Sequence, residues 1–582
     1  MSYAAEYVVD LADARRRLLR VTARYRSTGS TLDLHLPVWT PGSYLVREYA
    51  RHVQDLVAET KDGKALAVEK IDKATWRVAT LGESIIVVRY AVYAADLTVR
   101  SAHADTSHAY WNGACAFLYC YAQLKAPSLV AVNAPEGWKI TTPLAPESGS
   151  KHKFVARDYD ELVDSPFEVG THELVEFRAL DKPHRIAIWG DCARARHELT
   201  ADFAKIVEAS AAIFDGTLPY DDYVFIMLLA PNAYGGLEHK SSTTLLSSPF
   251  TFTPKKKYED FLELVSHEFF HLWNVKRIRP EALGPFDYQK ENYTRALWMM
   301  EGITSYYDRV ILVRAGLLTP RRFLSKLADD WAKMMQTPGR RHHSLEEASF
   351  DAWIKHYRPD ENTVNTSISY YLKGGIIATL FDLEIRRRSE GKKTLDDVMR
   401  LLWREYGARD KGFPEGQAQE IFEQAAGVPL GDLFDAWVRG KDEVDAKATL
   451  ASVGLEVVSG HDDDEAQQPW LGITWSDTGL RVREILEGSP AERAGLQPGD
   501  EVVALGGYRV ASEATLRDRI GQRRPNDVIE LTLFRREKLQ TVSVMLGERP
   551  VLKYEIKAIA DASAAQKAAF VAWMGSALPD EE

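Results

Sequence analysis

Apolar residues recur along this chain with two different periods, and the change between them marks its parts. Up to about residue 170 the apolar runs are short, β-branched or aromatic: YVVDL, STLDLHLPVW, ATWRVATL, ESIIVVRYAVYAADLTVR and HKFVAR. Gly, Asn, Asp and Lys clusters separate them, which predicts strands. No long segment of helical period interrupts them, so residues 1–170 read as an all-β, sandwich-like domain. WTPGSY, from Trp39 to Tyr44, places Pro41-Gly42 as turn punctuation.

Over residues 171–450 the character changes. Three short strand patterns, ELVEFRAL, HRIAIWG and YDDYVFIMLLA, give way to three- and four-residue apolar spacing, as in ELTADFAKIVEASAAIF. Thr319-Pro320 is a helix start signal, and Gly316 just before it stops the preceding helix. This predicts an α+β domain whose second half is mostly helical. HDDDEAQQP (461–469) reads as an acidic linker ahead of a small β-rich module that runs to about 550, linker and module together being assigned to 451–550. A helical tail follows over 551–582, with Ser563 and Gln566 as a capping box and Gly575 as its stop.

Composition narrows the classes. At ~150 residues per domain, 582 residues suggest three or four domains. Hydrophobic residues at 45% and charged residues at 27% are ordinary for a globular protein. No apolar run approaches the ~18 residues needed to span a bilayer. A net charge of -11 leaves no electrostatic footprint for nucleic acid or an anionic membrane. MSYAAEYVVDLADARRRLLR has acids and arginines where a secretion signal needs an apolar core. Cys115, Cys120 and Cys192 form no CxxC pair; they read as small buried hydrophobes in a reducing compartment. The expected location is the cytoplasm.

The chemistry concentrates in YEDFLELVSHEFFHLWNVKRIRP, residues 258–280, whose apolar spacing predicts a helix up to Pro280. His267 and His271 stand four apart, so both imidazoles share one face and can bind a single ion. Glu268 can lean toward water on that ion without being a ligand. Two neutral histidines leave most of the charge of Zn²⁺ uncompensated, and Glu301 in ALWMMEGITSYYDRV is the candidate third ligand.

HEFFHLWNVKRIRP followed by WMMEGITSYY resembles the glycyl aminopeptidase family of zinc peptidases with an appended PDZ domain. The wider group is the thermolysin-like enzymes whose third ligand is glutamate. The resemblance implies one zinc per chain, held by His267, His271 and Glu301, with Glu268 as general base. RPEALGPFDYQKENY lengthens the gap before Glu301 relative to larger aminopeptidases and is expected to form a loop near the site.

An exopeptidase must also hold a free end. In APNAYGGLEHK, Gly235-Gly236 permits close approach of a peptide to a sheet edge, and Glu238 can meet its α-ammonium. GGLEH resembles the Gly-x-x-Glu motif of zinc aminopeptidases; a Gly-Gly hairpin with a solvated Glu is the plainer reading. His239 stands where larger relatives carry Asn. Tyr371 belongs to a Tyr-x-Lys-Gly pattern with Lys373 and Gly374. By resemblance it steadies the oxyanion, with Tyr370 as fallback; simple packing is the alternative. Asn274, Thr304 and Ser305 are candidates for orienting ligands.

PWLGITW and EGSPAERAGLQPGDEVVALGG resemble the PDZ domains of proteases. That implies Leu471, Gly472 and Ile473 as a site for a C-terminal peptide tail, by β-augmentation; the alternative is a module that only docks. The leading reading is a zinc aminopeptidase acting on peptides with a free N-terminus and small first residues. A metalloendopeptidase with PDZ-delivered substrates and a catalytically silent PDZ adaptor stand as the other two readings. The sequence does not fix the oligomeric state.

Overall fold

In the computed structural model of the chain the described residues are 3–460, 468–477, 479–550 and 553–579. The acidic stretch 461–467 of the expected linker lies outside them. The chain divides into two compact units. One comprises residues up to Thr294, Tyr307–Leu318 and Met399–Glu415; the other comprises Arg295–Tyr306, Thr319–Val398 and the residues from Gly416 on.

The first unit begins as expected, in strands. Eight of them form one sheet, in the order Ala145–Pro146, Lys153–Ala156, Ser128–Asn133, Ala5–Asp10, Leu18–Arg26, Ile85–Tyr93, Val53–Thr60 and Ala65–Leu66. Within it Ala5–Asp10 runs parallel to Ser128–Asn133, and the other neighbours are antiparallel. A three-stranded sheet (Thr31–His35, Thr75–Ala79, Val68–Asp72) and a four-stranded one (Lys139–Thr141, Phe167–Gly170, His108–Trp111, Ala102–Ala104) complete the all-β region.

A buried, irregular stretch crosses this region, and its carbonyls need donors. Four tyrosines supply them. Tyr7 and Tyr25 donate to the Leu118 carbonyl at 2.6 and 2.9 Å, Tyr90 to Ala116 at 2.7 Å and Tyr159 to Phe117 at 2.7 Å. Burial raises all four phenols above their ordinary range, so they stay protonated and remain donors.

A five-stranded sheet follows in the same unit, ordered Glu173–Ala179, Lys182–Trp189, Tyr223–Leu229, Ser242–Ser247, Gly235–Glu238. Its three inner strands are parallel, and the helix Arg196–Ile213 makes the crossover between the first two. Val99 and Tyr110 of the β region pack with Val224, Ile226, Leu228, Leu237 and Leu246 of this sheet in one core cluster. The helix Lys255–Phe270 packs against the strands Ser242–Ser247 and Gly235–Glu238.

The second unit is helical and then β-rich. Its helices include Pro320–Met335, capped by Thr319 as predicted, and Leu372–Arg388. The PDZ region has its own core around Leu471, Val482, Ala491, Leu496, Leu531 and Val544. Asp500 of the Pro-Gly-Asp turn is buried and takes a two-pronged contact from Arg535 at 2.8 and 2.7 Å. The tail helix Ala564–Met574 carries the expected capping box and ends at Gly575 in the left-handed region. Trp573 of this helix is buried, packs edge-on against Phe323 and donates to the Tyr306 hydroxyl at 3.0 Å. Among the described residues no helix is long and apolar enough to cross a membrane.

Trp573→Ala is expected to lower stability by about 3–5 kcal/mol, because a large buried ring leaves a cavity and a lost partner. Denaturant unfolding checks it; an unchanged midpoint would show that the tail adds nothing.

Candidate metal centre and substrate edge

His267 lies on the last turn of the helix Lys255–Phe270, and His271 is the capping residue just past it. The helix thus ends ten residues short of the Pro280 that the apolar spacing suggested. The amides of Trp273 and Asn274 still bond to the Phe270 carbonyl, as in a last helical turn; the chain reverses at Val275, which takes φ +109° and donates its amide forward to the Ile278 carbonyl at 3.1 Å. This reversal delivers the Asn274 carbonyl to Nδ1 of His271 at 2.7 Å. A carbonyl only accepts, so Nδ1 carries the proton, and Nε2 of a neutral His271 is a bare lone pair. Nδ1 of His267 faces a carboxylate oxygen of Asp308 at 3.0 Å. The two rings stand 4.6 Å apart and nearly perpendicular. Each ring is thus held through Nδ1, as metal-ligating histidines are.

Burial raises the Asp308 carboxyl, with Glu263 adding to the rise and His267 opposing it. Asp308 was not singled out from the sequence, and Asn274 meets His271 through its main-chain carbonyl. Thr304 donates to the Met300 carbonyl of its own helix at 2.6 Å.

Two carboxylates converge on this helix end. One ligand atom from each of Glu238, Glu268 and His271 lies within 4.8 Å of the others. Both acids are buried, at 3% and 6% exposure. The approach depends on two glycines. A Cβ on Gly236 would sit 2.0 Å from Oε1 of Glu268, and one on Gly42 would sit 2.5 Å from Oε1 of Glu238. Gly42 also occupies φ +86° in the turn Thr40–Ser43, where the Ser43 amide donates to the Thr40 carbonyl at 3.1 Å. The turn read in WTPGSY is therefore a backstop for Glu238, a role its sequence does not announce. Oε1 of Glu238 meets no hydrogen-bond donor among the described residues. Gly235 starts the same edge strand, opposite Leu246.

His239 turns its Nδ1 toward Asp164 at 3.1 Å. Asp164 also accepts from the Lys240 amide at 2.7 Å and pairs with the Lys276 ammonium at 2.6 Å. Burial alone would raise the Asp164 carboxyl; Lys276 and His239 more than offset it and hold it well below the usual carboxylate range.

The second unit contributes a separate group of residues. Glu301 is buried in the π-helical turn Trp298–Gly302, a local distortion common at functional sites. Gly302 and Gly374 let two helical segments touch: a Cβ on Gly302 would lie 2.6 Å from the Gly374 α-carbon. This explains both the Glu-Gly pair and the glycine of Tyr-x-Lys-Gly. Tyr371 caps the helix Leu372–Arg388, and its hydroxyl lies 3.1 Å from that of Tyr357. Burial, then the charge of Glu301, raises the Tyr371 phenol well above its ordinary range. Tyr370 stacks on Tyr371 at 4.8 Å, and His356 stacks on Tyr371 at 5.4 Å. Burial pushes Lys373 down to about 8.

In the PDZ region Leu471 is buried and Gly472 takes φ +81°, with Ser489 where its Cβ would go. Ile473 starts a strand, Ile473–Trp475, that pairs with Val482–Ile485.

Comparison with known proteins decides the family. A solved structure from Idiomarina loihiensis, described as an aminopeptidase N family protein, is 30% identical to this chain; the match covers 98% of this chain and 100% of that one, with a TM-score of 0.91. The Peptidase M61 N-terminal domain matches residues 6–171, M61 glycyl aminopeptidase matches 260–377, and a PDZ domain matches 453–546. The chain belongs to the M61 glycyl aminopeptidase family. Membership makes it a metallopeptidase, which sets the silent adaptor aside. Shorter matches also occur: a probable periplasmic serine endoprotease DegP-like of Rhizobium meliloti is 33% identical over 120 residues, 18% of this chain and 24% of that protein. Its counterpart in a Marinomonas strain is 29% identical over 118 residues, again 18% of this chain and 25% of that protein. The chain thus spans about a quarter of the length of these curated relatives.

Gly42→Ala is expected to push Glu238 aside and cut peptide hydrolysis about tenfold or more. Activity within about twofold of the parent would show that this turn does not set the carboxylate. Asp164→Asn should cost about 3–5 kcal/mol at neutral pH, because it leaves Lys276 buried without its counter-charge. A carboxyl depressed in the fold stabilises above its unfolded value of ~4, and that stability is lost as the pH falls through the lower native value. The parent should therefore weaken steeply on acidification and the variant less so; parallel acid-unfolding curves would contradict this.

Proposed function

We propose that this chain is a zinc-dependent aminopeptidase of the cytoplasm that removes small first residues, such as Gly or Ala, from peptides with a free N-terminus. The observation that carries the exopeptidase reading is the buried Glu238 carboxylate, one oxygen unpartnered, beside Glu268 and His271. A buried acceptor of that kind suits an α-ammonium ion, and fixing the amine there places the first peptide bond at the histidines. Three buried free cysteines fit a reducing compartment.

His267, His271 and Glu301 would hold one zinc ion. The donor chemistry fits: two imidazoles are each fixed through Nδ1, and a buried glutamate supplies the anionic oxygen. When bound, the ion supplies Lewis acidity that polarises the scissile carbonyl and acidifies the attacking water. Glu268 takes a proton from that water at its carboxylate and returns it to the departing amine. Tyr371 donates its hydroxyl hydrogen to the developing oxyanion; its raised pKa keeps it a donor at neutral pH. Glu238 holds the substrate amine throughout. The free edge of the strand Ile473–Trp475, beside Leu471 and Gly472, would take a C-terminal peptide tail as an added strand.

Glu268→Gln is expected to lower kcat by about 10² to 10⁴-fold while zinc stays bound, measured by turnover together with metal analysis. Retained turnover would remove the general-base role. Glu238→Ala should raise KM for free-amine peptides by about tenfold or more and leave N-acetylated partners unaffected. Mass spectrometry of one such peptide pair reads both points; internal cuts in both peptides would make the enzyme an endopeptidase.

A further inference from the structure

Among the described residues Arg100 is a cation at this edge with no carboxylate partner. Its Nη2 donates to the Gly236 carbonyl at 3.3 Å, and Nη1 lies 3.7 Å from where a Cβ on Gly235 would be. Its Nε is buried and meets no acceptor among the described residues. No carboxylate among them pairs with its guanidinium. The backbone of Arg100 is pinned on both sides: its amide donates to Oγ1 of Thr98 at 3.1 Å, and its carbonyl accepts from the Tyr49 hydroxyl at 2.7 Å. A part-buried arginine, held in place and unpaired, calls for an anionic oxygen pair matching its fork.

The order of groups along the strand names that anion. Glu238 comes first. Two residues back stands Gly236, whose α-carbon faces Glu268 and whose carbonyl holds Arg100. Gly236 and Glu238 are about 7 Å apart along an extended strand. A dipeptide also spans about 7 Å from its amine to its carboxylate. Ammonium, scissile amide and carboxylate of a dipeptide thus follow the same sequence as Glu238, Glu268 and Arg100.

We propose that Arg100 binds the C-terminal carboxylate of very short peptides, which makes dipeptides the preferred substrates. This rests on the aminopeptidase reading and on Glu238 as the amine anchor. The guanidinium also crowds the strand edge at Gly236, where a longer peptide would continue. Arg100 reaches the site from the N-terminal β region, so that region supplies a specificity residue as well as a wall.

The test compares alanyl-glycine with its C-terminal amide on the zinc-loaded full chain. The parent should hydrolyse the free acid with a kcat/KM about tenfold or more above the amide, the difference lying mainly in KM. Arg100→Met should bring the ratio to about one, and Arg100→Lys should restore part of it. The ratio is read within each protein, so a general loss of folded enzyme does not mimic the result. Equal rates on acid and amide in the parent, or a ratio unchanged in Arg100→Met, would overturn the proposal while leaving the aminopeptidase reading standing. Equal falls on both substrates would make Arg100 a prop for the Gly236 carbonyl and would also overturn it. Hydrolysis of neither dipeptide, with free-amine pentapeptides still trimmed, would overturn the dipeptide preference alone; no trimming of any peptide would overturn both readings.

Discussion

Two carboxylates buried side by side set the terms for the first unit. Glu238 and Glu268 both approach His271, and like charges in a low-dielectric setting do not share a site unless geometry compels them. Here the compulsion is backbone. Glu268 is pressed against the α-carbon of Gly236, and Glu238 against that of Gly42. Each acid fills the space that a side chain on its glycine would otherwise occupy. Two buried acids so placed suit a cation, and the proposed function supplies two, a divalent metal and an α-ammonium.

This constraint gives the N-terminal β region a reason to be part of the enzyme. Gly42, Arg100 and Asp164 all belong to it, and each works on the strand Gly235–Glu238 or the residues just after it. The apolar cluster of Val99 and Tyr110 with Leu237 and Leu246 fixes the distance over which these contacts act. Asp164 adds a buried ion pair with Lys276 at 2.6 Å, beyond the metal helix. Such a pair contributes little net stability, yet breaking it leaves a charge stranded, so it specifies the junction more than it strengthens it.

What the sequence disclosed follows from the range of each interaction. His267, Glu268 and His271 declare themselves because their relation is one helical turn, a local matter of period. The all-β start, the crossover helix and the capped tail are legible for the same reason. Glu238 came through its place after Gly235-Gly236 together with motif resemblance, and Tyr371 through resemblance alone. Asp308, Gly42 and Arg100 were illegible. Their partners lie 41, 196 and 136 positions away, and an acid, a turn glycine or an arginine in isolation has many bland uses. The end of the metal helix was misjudged because Leu272, Trp273 and Ile278 keep apolar spacing while burying themselves from a reversed chain. Only the positive φ of Val275 and the forward bond of its amide to the Ile278 carbonyl reveal it.

The PDZ region poses a choice between binding and docking, and the contacts of the second unit bear on the docking half. Asn365 donates to the Ile485 carbonyl at 2.8 Å and accepts from the Glu487 amide at 2.9 Å, acting as a strand partner in miniature. Glu487 adds contacts to His342 at 2.8 Å and Arg341 at 3.4 Å, but these are exposed and contribute little. Docking therefore rests on backbone groups at one end of Val482–Ile485. That strand flanks Ile473–Trp475 on one side only, and a peptide added by β-augmentation would use the other. Because Asn365 satisfies polar groups that a bound peptide would not reach, docking and binding draw on different surfaces of one module. Among the described residues the contacts through Asn365 leave the other edge of Ile473–Trp475 without a strand partner.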